Sequence, residues 1–147
     1  MKRNKENLKT FNSLYYQQVN IYSNLVKKTG LSDSYYQILY VIRNDICLPY
    51  ANKIVDFTCV PKQTINSAIK KMESEGLIKL IKEEKSKNKK IILTNKGDKY
   101  CEDTIDKIVN LELKAFENIT SQECDEYFNT MKKFNEKLEK EINKYEQ

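Results

Sequence analysis

The stretch from Val60 to Leu93 constrains the fold more than any other part of the chain. Ile65, Ala68, Ile69 and Met72 recur at i, i+3, i+4 and i+7, the spacing that lines one face of an α-helix. The opposite face is left with Lys62, Gln63, Asn66, Ser67 and Lys70, side chains that donate, accept or carry positive charge. Val60-Pro61 starts this helix, because proline is tolerated in a first turn where its missing N–H has no partner to lose. Gly76 ends it. Two short apolar runs follow: Leu77, Ile78, Leu80 and Ile81, running out at Glu83 and Glu84, then Ile91, Ile92 and Leu93. Between them Lys85 to Lys90 is a polar, basic turn, so the two runs predict strands closing a hairpin with a basic tip.

Helices are predicted on both sides. Leu8, Phe11, Tyr15, Tyr22 and Leu25 have helical spacing in the first, which Gly30 closes. Ser32 caps a second that runs through Tyr36, Leu39, Tyr40 and Ile42 to about Asp45, before Pro49 breaks the pattern. Ala51, Ile54, Val55 and Cys59 mark a short third helix. Beyond the hairpin, Thr94 to Asn118 reads as one long helix carrying Cys101, Ile105, Ile108, Val109 and Phe116. The step Thr120-x-x-Glu123 is a capping box that opens the last helix. There Cys124, Tyr127, Met131, Phe134, Leu138, Ile142 and Tyr145 alternate at spacings of three and four, a long amphipathic seam. The chain is therefore expected to be mainly α with one small β-hairpin, and its 147 residues, without repeats or a low-complexity linker, fit one domain over 1–147.

Charge sharpens the pattern. The formal net charge is +5, and it is concentrated: between Lys62 and Lys99 eleven lysines stand against only Glu73, Glu75, Glu83, Glu84 and Asp98. No apolar run approaches the length of a membrane span, and residues 1 to 7 are polar and lead into no signal-like segment, so a cytoplasmic protein without a membrane partner is expected. The chain has no histidine, and Cys47, Cys59, Cys101 and Cys124 are widely spaced, which suggests neither zinc, nor a disulfide framework, nor any cofactor. Buried thiols in a reducing compartment are the plain expectation, with Cys47, beside Pro49, the one cysteine worth testing for redox sensitivity. With no glycine-rich phosphate loop and no spaced nucleophile and base, an enzyme is not expected.

A helix, a short helix, a polar-faced helix and a hairpin with a basic tip, in that order, are the parts of a winged helix-turn-helix. The major groove of DNA, roughly 12 Å wide, admits one helix, and a basic loop beside it can reach phosphates. The segment Val60-Pro61-Lys62-Gln63-Thr64-Ile65-Asn66-Ser67-Ala68-Ile69-Lys70-Lys71-Met72-Glu73-Ser74-Glu75-Gly76-Leu77-Ile78 resembles the recognition helix and following strand of the MarR family of transcriptional regulators. Leu93-Thr94-Asn95-Lys96-Gly97 resembles that family's Leu-Thr-x-x-Gly step from wing to dimerisation helix. One departure is plain, since the family's wing usually carries Asp-x-Arg and this one reads Lys85-Ser86-Lys87-Asn88-Lys89-Lys90; lysine supplies charge but lacks the planar fork of arginine.

The resemblance implies a DNA-binding lobe over about 32–96, with dimerisation helices over about 5–30 and 96–146. It implies a homodimer that binds a palindromic double-stranded operator as a repressor released by a small molecule. By the same resemblance Lys62, Gln63, Asn66, Ser67 and Lys70 face DNA, and Lys87 and Lys89 contact it from the wing. Thr64 is either a further base contact or a hydrogen-bonding group at the helix start. Tyr15, Tyr22, Tyr36 and Tyr40 fall where the family keeps its effector pocket, and tyrosine, with an aromatic face and a polar tip, suits such a pocket as well as it suits a core or dimer interface. The rival expectation is a helical interaction module whose winged helix touches a protein rather than DNA.

Overall fold

The computed structural model describes residues 2–84 and 87–145; Lys85 and Ser86 of the expected basic tip lie outside them. Seven helices and two strands are present among the described residues. They are α1 (Lys2–Thr29), α2 (Asp33–Arg43), α3 (Ala51–Thr58), α4 (Lys62–Ser74), β1 (Ile78–Lys82), β2 (Lys89–Leu93), α5 (Asn95–Asp103), α6 (Ile105–Phe116) and α7 (Ser121–Tyr145). The expected mainly helical fold with one hairpin is what forms. The chain makes two compact units that divide inside α6, between Ile108 and Val109.

The first unit holds the core. Ile38 and Leu39 of α2, Ile54 of α3, Ile65 and Met72 of α4, Ile78 and Ile91 of the hairpin, Cys101 of α5, and Ile105 and Ile108 of α6 are all fully buried. Each isoleucine or leucine removed from water in this way stabilises the fold by roughly 1.5–3 kcal/mol. α2 packs on α3 and α4, α3 on α4, and α4 on β1, which fixes the helix-turn-helix to the base of the hairpin. Ser32 caps α2 by accepting from the Tyr35 amide.

The Leu93-Thr94-Asn95-Lys96-Gly97 step is the pivot between hairpin and α5. Thr94 caps α5 by accepting from the Gly97 amide at 3.0 Å, and its hydroxyl donates to the Gly76 carbonyl at 2.6 Å. Lys96 Nζ donates to the Glu75 carbonyl at 2.7 Å, using a carbonyl left over at the end of α4. Gly97 is obligatory: a Cβ there would stand 2.0 Å from the Leu77 carbonyl oxygen. Gly76 has φ +73 and supplies the left-handed turn out of α4.

Four boundaries differ from those the sequence suggests. α2 stops at Arg43, because Asn44 breaks the helical backbone and Asp45 takes φ +50. α4 begins at Lys62, with Pro61 before it in an extended conformation as its cap rather than inside its first turn. Lys89 and Lys90 belong to β2 rather than to the turn, paired with Lys82 and Ile81. The expected single helix over Thr94–Asn118 is two, broken at Thr104, whose backbone sits at φ −126, ψ −74. Arg43 holds both sides of that break, to Asp98 of α5 at 3.1 Å and to Asp106 of α6 at 2.9 and 2.7 Å.

In the second unit the end of α6 meets α7 through Phe116 and Phe128, with ring centroids 6.5 Å apart. The capping box forms as expected: the Thr120 amide and hydroxyl donate to Glu123, and the Glu123 amide donates to the Thr120 hydroxyl.

Candidate nucleic-acid interface

α4 is presented by its buried stripe. With Ile65, Ala68, Ile69 and Met72 turned into the core, the rest of its surface faces outward in two ridges. Lys62, Asn66 and Lys70, four residues apart, lie on one ridge. Asn66 is half-buried there, and with Lys70 it lines a cleft of about 230 Å³ against the hairpin, whose other walls include Leu80, Asn88, Lys89 and Ile91. Gln63, Thr64 and Ser67 lie on the other flank, in an open cleft of about 530 Å³ shared with Ser32, Ser34 and Tyr35 from the start of α2. The expected DNA-facing side chains of α4 thus flank its exposed edge on both sides. Thr64 is exposed, and the cap three residues before it, being proline, has no N–H for its hydroxyl to accept from.

The hairpin places the remaining lysines. β1 and β2 pair antiparallel, Ile78 with Leu93 through to Lys82 with Lys89. Lys87 and Lys89 are both exposed, Lys87 in the bend and Lys89 in the strand. Lys82 and Lys89 are directly opposite one another at the end of the ladder, a like-charge pair that costs stability unless an anion lies between. A third extended segment joins the sheet: Tyr50 bridges to Lys90, and the Ile91 amide donates to the Pro49 carbonyl at 2.8 Å. Tyr50 then donates its hydroxyl to Glu83, which also lies 3.8 Å from Lys90 Nζ. That carboxylate pushes the Tyr50 phenol above its ordinary pKa.

Several residues here gave no local signal in the sequence. Tyr50, Glu83 and Asn88 enter the site through partners distant in the chain. Ser32 was legible only as a cap, although its place beside Gln63 and Ser67 follows from the packing of α2 on α4.

The tyrosines expected to form a pocket are only partly gathered. The rings of Tyr36 and Tyr40 on α2 meet at a tilt of 53° with centroids 5.2 Å apart, and both residues are half-buried, as is Tyr22. Tyr15 is 54% exposed and packs edge-on to its neighbour Tyr16. Tyr35 is a core residue: it donates to Glu75 at 2.8 Å, and burial with that carboxylate pushes its pKa up. The cysteines differ from the expectation of buried thiols. Cys101 is buried and its pKa is pushed up to about 11 by desolvation, but Cys59 is exposed and Cys47 and Cys124 are half-buried. Burial also raises the Cys47 pKa, against a lesser opposing pull from Lys53. Among the described residues no helix is long and apolar enough to cross a membrane.

No protein-family model and no curated protein sequence matches the chain. Solved structures do. A MarR family regulator from Neisseria meningitidis aligns with a TM-score of 0.80 at 19% identity, covering 93% of this chain and 96% of the other. Staphylococcus aureus MarR in complex with salicylate and kanamycin aligns at 0.65 and 22% identity, over 94% and 93% of the two chains. The S. aureus MepR–DNA complex aligns at 0.65 and 15% identity, over 87% and 93%. Each alignment spans most of both chains, and the chain has the winged helix fold of the MarR family of transcriptional regulators.

Proposed function

We propose that the protein is a DNA-binding transcriptional regulator of the cytoplasm, acting as a homodimer on a palindromic operator, and that it performs no catalysis. The observation that carries this is the joint exposure of two chemically different sets on adjoining elements. Exposed Gln63, Thr64 and Ser67, with half-buried Asn66 beside them on α4, offer amides and hydroxyls, which donate and accept at base edges. Lys62, Lys70, Lys87 and Lys89 surround them with point charges suited to phosphate. The fold is shared with MepR, solved on DNA, and with a MarR solved with salicylate, which supports repression relieved by a small aromatic ligand. Tyr22, Tyr36 and Tyr40 are the candidate walls for that ligand; Tyr15, open on α1, is better placed at a subunit interface.

The dimer is supported by apolar surface exposed on α1 and on α7. Leu8, Phe11, Leu14 and Tyr15 of α1 are exposed. So are Tyr127, Phe134, Leu138 and Ile142 of α7, which has no buried residue among those described. Surface of this kind marks an association site.

Titration of fluorescent duplex over a salt series tests the function. Lys87→Ala is expected to weaken operator and random duplex alike and to flatten the slope of log affinity against log salt by roughly 0.9. Gln63→Ala is expected to cost about 1–3 kcal/mol on the operator while leaving random duplex nearly unaffected. Binding that is insensitive to salt would instead mark a winged helix that contacts protein.

A further inference from the structure

Glu83 is out of place by charge: a carboxylate at the mouth of a basic wing opposes the phosphates that the wing lysines would meet. Its geometry supplies a reason for it. Tyr50 is the cap of α3, where its carbonyl accepts from the Ile54 amide at 3.0 Å, and it is also the residue that bridges to Lys90 of β2. Its hydroxyl donates to Glu83, the first residue after β1, and the other Glu83 oxygen faces Lys90. Ile54 is fully buried in the core and α3 packs on α4. A continuous run of contacts therefore links the recognition helix, through α3 and Tyr50, to the point where the wing loop begins. The pair of the ladder nearest that point is two opposed lysines, Lys82 and Lys89, whose mutual repulsion works against the closure of the hairpin there.

We propose that Tyr50 and Glu83 are positioning residues, a clamp that fixes the wing relative to α4 so that Lys87 and Lys89 reach the DNA backbone while α4 occupies the groove. This rests on the DNA-binding function proposed above. The clamp and the simple charge effect of Glu83 predict opposite signs. If Glu83 acted only as a negative charge, any neutral replacement would tighten DNA binding. As a clamp, its acceptor oxygen is what matters: Glu83→Ala weakens binding, whereas Glu83→Gln, which can still accept from Tyr50, binds at least as tightly as the native chain.

The experiment uses the full chain and fluorescent duplex at several salt concentrations, with thermal unfolding followed in parallel. Tyr50→Phe leaves the charge unchanged and is expected to lower affinity roughly three- to tenfold, the worth of one hydrogen bond. In that background Lys87→Ala is expected to add little further loss, because a wing no longer held does not deliver its lysine; a double-mutant cycle reads this coupling. A purely structural hydrogen bond would lower the unfolding temperature but leave the two losses additive. Additivity of Tyr50→Phe with Lys87→Ala, or tighter binding by both Glu83 variants, overturns the clamp while leaving the DNA-binding function standing. Absence of salt-dependent binding by the native chain would remove both.

Discussion

Two glycines show how differently one residue type can be constrained. Gly76 needs its positive φ, but the space around it is open, so Gly76→Ala is expected to cost about 1 kcal/mol of left-handed strain. Gly97 has no such backbone requirement; it is fixed by the approach of the Leu77 carbonyl to within 2.0 Å of where a Cβ would lie. Gly97→Ala must push α5 away from the hairpin and is expected to cost about 3 kcal/mol or more. In urea unfolding the Gly97 variant should therefore be clearly the weaker of the two. The reverse order would show that α5 can shift without disturbing the Thr94 cap. The glycine in Leu93-Thr94-Asn95-Lys96-Gly97 was visible in the sequence as part of a resemblance; its reason, a backbone oxygen twenty residues earlier, was not.

Elements were legible where the period of apolar residues changes abruptly. Ile65, Ala68, Ile69 and Met72 fit only a helix, and the isoleucine-rich runs on either side of the lysines fit only strands, so α4 and the hairpin follow from local pattern. Lys89 and Lys90 did not, because lysine has little strand preference of its own and is drawn into β2 by pairing with Lys82, Ile81 and Tyr50. The break at Thr104 was hidden for a similar reason. Threonine is unremarkable inside a helix, yet here its hydroxyl donates back to the Tyr100 carbonyl at 2.6 Å and its amide takes the tighter bond to Cys101. Arg43, from a different helix, then ties Asp98 to Asp106 across the break. The arginine hydrogen bonds hold the Asp106 pKa below the usual carboxylate range. A depressed folded-state value means stability that is complete above the unfolded-state pKa and is lost as pH falls through the folded one. Asp106→Asn should accordingly flatten the acid limb of a stability-against-pH curve. An unchanged acid limb would mean that the Arg43 pair contributes nothing to the α5–α6 junction.

For the whole molecule the decisive feature is the exposed apolar surface of α1 and α7. The sequence showed the seam from Cys124 to Tyr145 but left open whether it faced the chain's own core; Phe134, Leu138 and Ile142 are exposed, and the proposal is that a second copy covers them. Replacing both Met131 and Phe134 with lysine is expected to give monomers in sedimentation and to abolish operator binding, since a monomer meets only one half of a two-fold site. A variant that stays dimeric with unchanged affinity would place the interface elsewhere. Because association covers exposed apolar surface on these helices, the melting temperature of the native chain should rise with its concentration. The same exposure has a consequence for control. Where the chain is scarce enough to be mostly monomeric, the number of competent pairs grows with the square of its abundance. Occupancy of a target site then responds to small changes in synthesis or turnover more steeply than a single-chain binder allows.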